Sequence, residues 1–397
     1  MAKRYKIIVV GRGMMGAAAA RHLALNTDGV AVIGPDEPTG PWGDHQGVFA
    51  SHYDEARITR TIDSSPVWAL LANRSIARYR EMEAASGLSF YREVGCLIVG
   101  PKRGGRDPYI ENVVSAASRL DVDIELLGDT ELAERFSYFH FGRGCEGVHE
   151  ARHAGYVNPR RLVEAQSRLA ERAGAAIIRD TVTAVREGDG AVLVETGGGK
   201  QYRTDKVLVA AGGFSISENL LPRSVDLKVY ARTVAFFEVS EGELSQYQNM
   251  PSLIHQPDNP RDHIYLLPPV RYPDGKTYLK IGGDPDDLPL TRDVDMRAWF
   301  RSGGRTSTRD HLVRIVAQLV PSLSNAPVSM APCVTSFTPG NYPAIGFASE
   351  RVAVLTGGCG AAAKSSDEIG RLGAELMLHG RIVDEAYGDV FRPGFMN

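Results

Sequence analysis

The chain has 397 residues, 43% hydrophobic and 23% charged, the balance of an ordinary globular protein with room for two domains and a sizeable core. Its 45 basic and 48 acidic residues nearly cancel, which argues against a nucleic-acid or membrane-surface partner, and no run approaches the roughly 18 apolar residues of a membrane span. Four cysteines without a CxxC pair, and a first strand that begins within five residues and leaves no room for a signal peptide, predict free thiols in a cytoplasmic protein.

Residues 5–16, Tyr-Lys-Ile-Ile-Val-Val-Gly-Arg-Gly-Met-Met-Gly, run from an apolar strand into a glycine-rich turn. A small-residue helix, Ala17 to Leu25, and a second strand, Val30 to Ile33, follow. This order suits a dinucleotide pyrophosphate. Gly11 permits the tight turn, Gly13 lets backbone approach phosphate, and Gly16 lets helix pack on strand. Met14 and Met15 sit at the helix N-terminus, whose free N–H groups and dipole attract the anion. The acidic residue that normally ends the second strand is replaced by Gly34. Asp36 or Glu37 could reach back to the ribose, and both read equally well as solvated loop carboxylates.

Further along, a Pro- and Gly-rich loop from Pro35 to Ala50 precedes a predicted helix from Pro66 to Ala85. Residues 89–100 read as strand, and Asn158-Pro159 starts a helix reaching Ala173. A strand at Ala175–Ile178, a hairpin across Glu187–Gly190 and a buried parallel strand from Lys206 to Gly213 come next. The pattern then becomes β-rich, with strands at Tyr230–Val239, Ile264–Val270 and Thr277–Gly283, and a helix near Asp310–Leu319. A strand at Val352–Gly358, a glycine turn and a helix at Ser366–His379 close the series. These elements predict an α/β fold, α+β overall: a discontinuous Rossmann-like nucleotide domain (1–85, 155–225, 330–397) with an inserted β-rich substrate domain (86–154, 226–329).

That plan resembles the D-amino-acid-oxidase-like flavoproteins, in the branch of monomeric sarcosine oxidase and N-methyltryptophan oxidase, over nearly the whole chain. Besides the glycine loop, three matches carry the resemblance: Ser51-His52-Tyr53-Asp54-Glu55-Ala56-Arg57-Ile58-Thr59-Arg60, Leu279-Lys280-Ile281-Gly282-Gly283, and Ala331-Pro332-Cys333-Val334-Thr335 followed by Gly357-Gly358-Cys359-Gly360-Ala361-Ala362-Ala363-Lys364. It implies FAD as cofactor, held by the glycine loop, Asp36, Ser51, His52, Arg57, Gly358, Gly360 and Lys364. It also implies a thioether from Cys333 to the flavin 8α carbon, with Cys359 as a rival attachment point. Arg60 and Lys364 match the pair that holds a substrate carboxylate, and Lys280 the lysine that assists oxygen reduction. The positive charge of such a lysine stabilises the anion that oxygen becomes.

The resemblance therefore implies oxidation of a carboxylate-bearing secondary or N-methyl amine to an imine, with oxygen reduced to hydrogen peroxide, by a monomer or small homo-oligomer. An FAD-dependent amino-acid dehydrogenase that passes electrons to a quinone or carrier is the alternative. Three departures bear on the substrate. Asp284 and Ala361 stand where relatives carry histidines, and Leu266 occupies the place of a pocket tyrosine beside Tyr265. Asp284 motivates the expectation of a larger or more cationic amine. His140, Cys145, His149 and His153 cluster in sequence, but their spacing matches no zinc pattern, so no metal site is expected.

Overall fold

The computed structural model describes residues 3–188 and 190–396. The run Ile7–Val10 is buried, as a strand covered on both faces must be. Strand Lys3–Val10 pairs in parallel with Gln201–Val209 on one side and Val30–Ile33 on the other. Val352–Thr356 and Ala176–Ile178 extend this parallel core at its two edges. The antiparallel strands Val182–Gly188 and Ala191–Thr196 branch from the first half of Gln201–Val209, and Ala344–Phe347 completes an eight-stranded sheet. Asp189, in the expected hairpin turn, lies outside the described residues.

Helix Met14–Ala24 covers this sheet, with Ala17 to Ala20 fully buried. Its small face admits helix Ser366–His379 at close range: a Cβ on Gly370 would lie 2.4 Å from the Ala18 Cβ. The junction also holds a buried charge cluster. Asp367, fully buried, accepts bonds from Arg21 (2.7 Å), Arg78 (2.6 Å) and Gln166 (2.8 Å), which tie three helices and the residue preceding a fourth together. A buried carboxylate must be paired in this way.

A second, nine-stranded sheet runs Leu288–Pro289, Lys228–Glu238, Thr277–Gly282, Ile264–Arg271, Ser252–His255, Cys96–Pro101, Cys145–Glu150, Glu125–Leu127, with Val328–Phe337 alongside Lys228–Glu238. Its far face buries Leu97, Phe237, Leu266, Leu279 and Ile281 against helix Thr306–Leu319. A three-stranded ribbon, Arg57–Thr59, Gly155–Val157 and Tyr91–Arg92, completes the β structure among the described residues. The architecture is the expected α/β sheet with a β-rich insert. Strand Val328–Phe337, placed by sequence largely in the last nucleotide-binding segment, is instead a full-length member of the second sheet.

Two expected elements are interrupted. The helix over 66–85 divides into Pro66–Ile76 and Tyr79–Ser86. At the break, Arg78 turns to Asp367 and Glu368, and the buried Tyr79 donates to the Lys364 carbonyl at 2.7 Å. The strand over 89–100 divides at Gly95, which has φ +81 and lies where a Cβ would be 3.1 Å from His149 Nε2. Both breaks serve tertiary contacts that local propensity does not encode. Among the described residues no helix is long and apolar enough to cross a membrane.

Candidate active site

A cavity of about 1320 Å³ runs from the glycine loop to the face of the second sheet. Gly11, Arg12, Gly13, Met14 and Met15 form one end of its wall. The three glycines differ in what requires them. A Cβ on Gly11 (φ +100) would lie 2.4 Å from the Ala210 carbonyl oxygen, and one on Gly16 would lie 1.9 Å from the Gly11 oxygen. Gly16 is thus a packing residue, off the wall. Gly13 has no such neighbour: its Cβ would meet only His52 Nδ1, at 3.9 Å. Gly13 caps helix Met14–Ala24 without any side-chain bond, so the helix N-terminus opens on unfilled space. His52 is half-buried, its buried Nδ1 has no partner, and desolvation followed by the charges of Arg12, Arg160 and Arg57 lowers its pKa to about 3.

Gly34 also has a steric reason: a Cβ there would lie 2.5 Å from the Arg12 backbone nitrogen, so no acidic residue fits at that strand end. Asp36 does not take over the wall position. Its half-exposed carboxylate pairs with Arg12 and with Arg179 at 3.1 Å, while Glu37 pairs bidentately with Arg160.

Cys333, also on the cavity wall, lies on strand Val328–Phe337 with Arg57 Nη2 3.9 Å from its sulfur. Trp299 fixes the strand there by donating to the Cys333 carbonyl at 2.8 Å. Ser51, Tyr265, Gly282, Gly358, Cys359 and Gly360 share the wall. The Tyr265 ring lies over Gly282, where any Cβ would come within 2.5 Å of the ring. Lys280 is not on the wall. Its ammonium, fully buried, donates to Asp54 Oδ2 at 2.7 Å and to the Ala56 carbonyl. Asp54 also accepts from Tyr272 at 2.7 Å and pairs with Arg57. Burial and then Arg57 push the Lys280 pKa well below its usual value.

Elsewhere on the wall Arg60 and Lys364 converge on one residue that the sequence did not single out. Asp63 Oδ2 lies 2.8 Å from Arg60 Nη2 and 3.2 Å from Lys364 Nζ, and all three line the cavity with Trp68, Tyr109 and Gln256. Burial disfavours the Asp63 charge, but Lys364 and Arg60 outweigh it and hold its pKa below the usual carboxylate value. Lys364, fully buried, is lowered by that burial to about 8 although Asp63 opposes the shift. Arg60 Nε is buried without a partner.

Of the three departures read from sequence, Asp284 and Ala361 reach the wall and Leu266 does not. Asp284 does reach the wall, but its carboxylate is committed: Oδ2 accepts the Thr233 amide at 2.8 Å, and Oδ1 accepts Thr308 Oγ1 at 2.7 Å and Arg305 at 3.3 Å. It is a structural anchor, which removes the reason to expect a cationic substrate. Leu266 points into the core of the second sheet, and strand alternation places Tyr265 on the cavity face instead. Ala361 is on the wall, where its carbonyl accepts Lys364 Nζ at 3.3 Å. His149 bonds Glu125 at 2.9 Å, and no group of three metal-ligating side chains gathers among the described residues.

A family model described as FAD dependent oxidoreductase (DAO) matches residues 6–376. The chain belongs to this family. As an FAD-dependent oxidoreductase it is 24% identical over 389 residues to monomeric sarcosine oxidase of Bacillus sp. (strain NS-129), covering 96% of this chain and 95% of that protein. N-methyl-L-tryptophan oxidase of Yersinia pestis (strain Pestoides F) is 27% identical over 258 residues, 64% of this chain and 65% of that one. Among solved structures, NikD, an unusual amino acid oxidase essential for nikkomycin biosynthesis, superposes with a TM-score of 0.77 at 21% identity, covering 100% of this chain and 98% of its own, and shares the fold. The residues present fit FAD: the space above Gly13, the uncapped helix N-terminus and the partnerless nitrogen of His52 together make a cradle for an anionic dinucleotide.

Proposed function

We propose that this enzyme oxidises a carboxylate-bearing secondary or N-methyl amine to an imine and reduces oxygen to hydrogen peroxide. The observation that carries this reading is the convergence of Arg60 and Lys364 on the wall of the cavity that begins at the glycine loop. The buried Lys364 and half-buried Arg60 share one carboxylate, Asp63, which leaves one positive charge for a further anion, and charge-assisted bonds to a carboxylate contribute about 1.5–3 kcal/mol each. The names of the two sequence relatives, both oxidases of N-methyl amino acids, support the same class.

FAD would supply the acceptor for the hydride equivalent leaving the carbon beside nitrogen, and the route for those electrons to oxygen. Gly11, Gly13, Met14, Met15, Ser51, His52, Arg57, Gly358 and Gly360 would hold it, with Cys333 as the thioether attachment at the 8α carbon. Arg60 and Lys364 pin the substrate carboxylate and so orient the α carbon. Tyr265 and Trp68 supply apolar wall that excludes water. Lys280 stabilises the charge that oxygen acquires, from behind the wall and in the position Asp54 gives it.

Peroxide yield measured against amine consumed tests the reading. One peroxide per amine supports it. Turnover that needs a quinone or dye and yields no peroxide replaces the oxidase with a dehydrogenase of the same fold.

A further inference from the structure

Asp63 is the residue that the proposed chemistry leaves unexplained. A carboxylate in a subsite for carboxylates is unfavourable unless it does something there. It lines the cavity at 7% exposure, and its two oxygens are spoken for: Oδ1 accepts the Ser65 amide at 3.1 Å, and Oδ2 sits between Arg60 and Lys364. The cations, by contrast, have donors to spare. A guanidinium offers five and an ammonium three. Among the described residues Arg60 bonds only Asp63, and Lys364 bonds Asp63 and the Ala361 carbonyl. The subsite thus keeps hydrogen-bonding capacity for an incoming carboxylate while losing one of its two positive charges.

We propose that Asp63 is a specificity-determining residue: it sets the charge of the Arg60–Lys364 subsite to plus one and thereby restricts the enzyme to amines with a single carboxylate in that subsite. The inference rests on the reading that Arg60 and Lys364 bind the substrate carboxylate.

The charge count is simple. Arg60 and Lys364 contribute two positive charges and Asp63 one negative. Tyr109 and Cys96, two further titratable groups beside Arg60, stay neutral because burial raises the phenol well above its usual value and the thiol to about 12. Glu150 also acts on Arg60, but it lies off the wall with its carboxyl turned to Thr61 and Ile62, and burial raises it to about 7, so it is mostly neutral and the count of plus one holds below that pH. One substrate carboxylate neutralises the remaining charge. A second, a few ångströms away, meets Asp63 in a buried site where like charges repel far more strongly than in water.

The test compares acetate with malonate, neither of which can be oxidised as an amine, by calorimetric titration of the FAD-loaded protein. Wild type should bind acetate at least tenfold more tightly than malonate. Asp63→Asn, and Asp63→Ser as a second variant, should shift that ratio toward malonate by tenfold or more. An unchanged ratio in both variants, with acetate weakened by Arg60→Gln, overturns the role of Asp63 and leaves the carboxylate subsite standing. Equal loss of both ligands marks Asp63 as only a strut for Lys364 and likewise overturns it. Acetate affinity that ignores Arg60→Gln and both Asp63 variants overturns the subsite itself.

Discussion

Lys280 Nζ lies 2.7 Å from the carboxylate of Asp54, 226 residues away in the chain, and both groups are buried. The lysine expected beside the flavin therefore does not project freely into the cavity. Asp54 anchors it from a loop that also supplies Ser51, His52 and Arg57 to the wall. Replacing Lys280 by Met should slow flavin reoxidation by oxygen about a hundredfold or more while flavin reduction by amine changes little. Stopped-flow rates that show the larger loss in the reductive step contradict the assignment.

Asp54→Asn removes the partner and leaves Lys280 buried with Arg57 nearby. Stranding one member of a buried pair costs about 3–5 kcal/mol. Urea unfolding should show a loss of that size, and a change under about 1 kcal/mol would mean that Lys280 is already neutral or reoriented. With Asp54 gone the lysine pKa falls further, so the pH above which oxygen reduction slows should move down.

At the Arg60–Lys364 pair, Arg60→Gln removes the guanidinium charge but keeps an amide donor. The loss in kcat/KM should be roughly 10- to 150-fold, the equivalent of about 1.5–3 kcal/mol, and should be seen mainly in KM. A substrate analogue without the carboxylate should be turned over equally poorly by wild type and variant.

Lys364 gives a pH prediction with a definite sign. Burial lowers its pKa to about 8, so the ammonium is charged below that pH and neutral above it. A carboxylate inhibitor should bind with constant affinity on the acid side and progressively weaker as pH rises through about 8. Calorimetric titration from pH 6.5 to 9.5 checks this, and affinity that increases toward high pH is incompatible with Lys364 as the anion's partner.

For Cys333, acid precipitation of the yellow protein should carry the colour into the pellet, and Cys333→Ser should release it to the supernatant. Colour retained by Cys333→Ser but lost in Cys359→Ser would move the attachment point to the glycine turn.

How much of this was readable beforehand follows from the range of the interactions. The glycine loop, the capped helices at Pro66 and Pro159, and the parallel strands announce themselves through local sterics and periodicity. Arg60, Lys364 and Cys333 were placed by motif, and the structure brings all three to one cavity. Asp63 and Asp54 were not legible, because each looks like an ordinary loop acid until a distant lysine arrives beside it. Leu266 and Tyr265 show the opposite failure. A one-residue error in strand register exchanges core and cavity faces, and only the cross-strand partner Gly282 reveals which side Tyr265 occupies. Asp36 and Asp284 were given ligand roles from position alone, while their side chains had nearer partners in Arg12 and Arg305.

The most direct test is anaerobic mixing of the oxidised holoprotein with paired amines: N-methyl amino acids, such as sarcosine and N-methyl-L-tryptophan, and the same amines without the carboxylate. The account predicts that at least one N-methyl amino acid bleaches the visible flavin absorbance while its decarboxylated counterpart does not. Equal bleaching by both members of a pair, or by none across the panel, would contradict it.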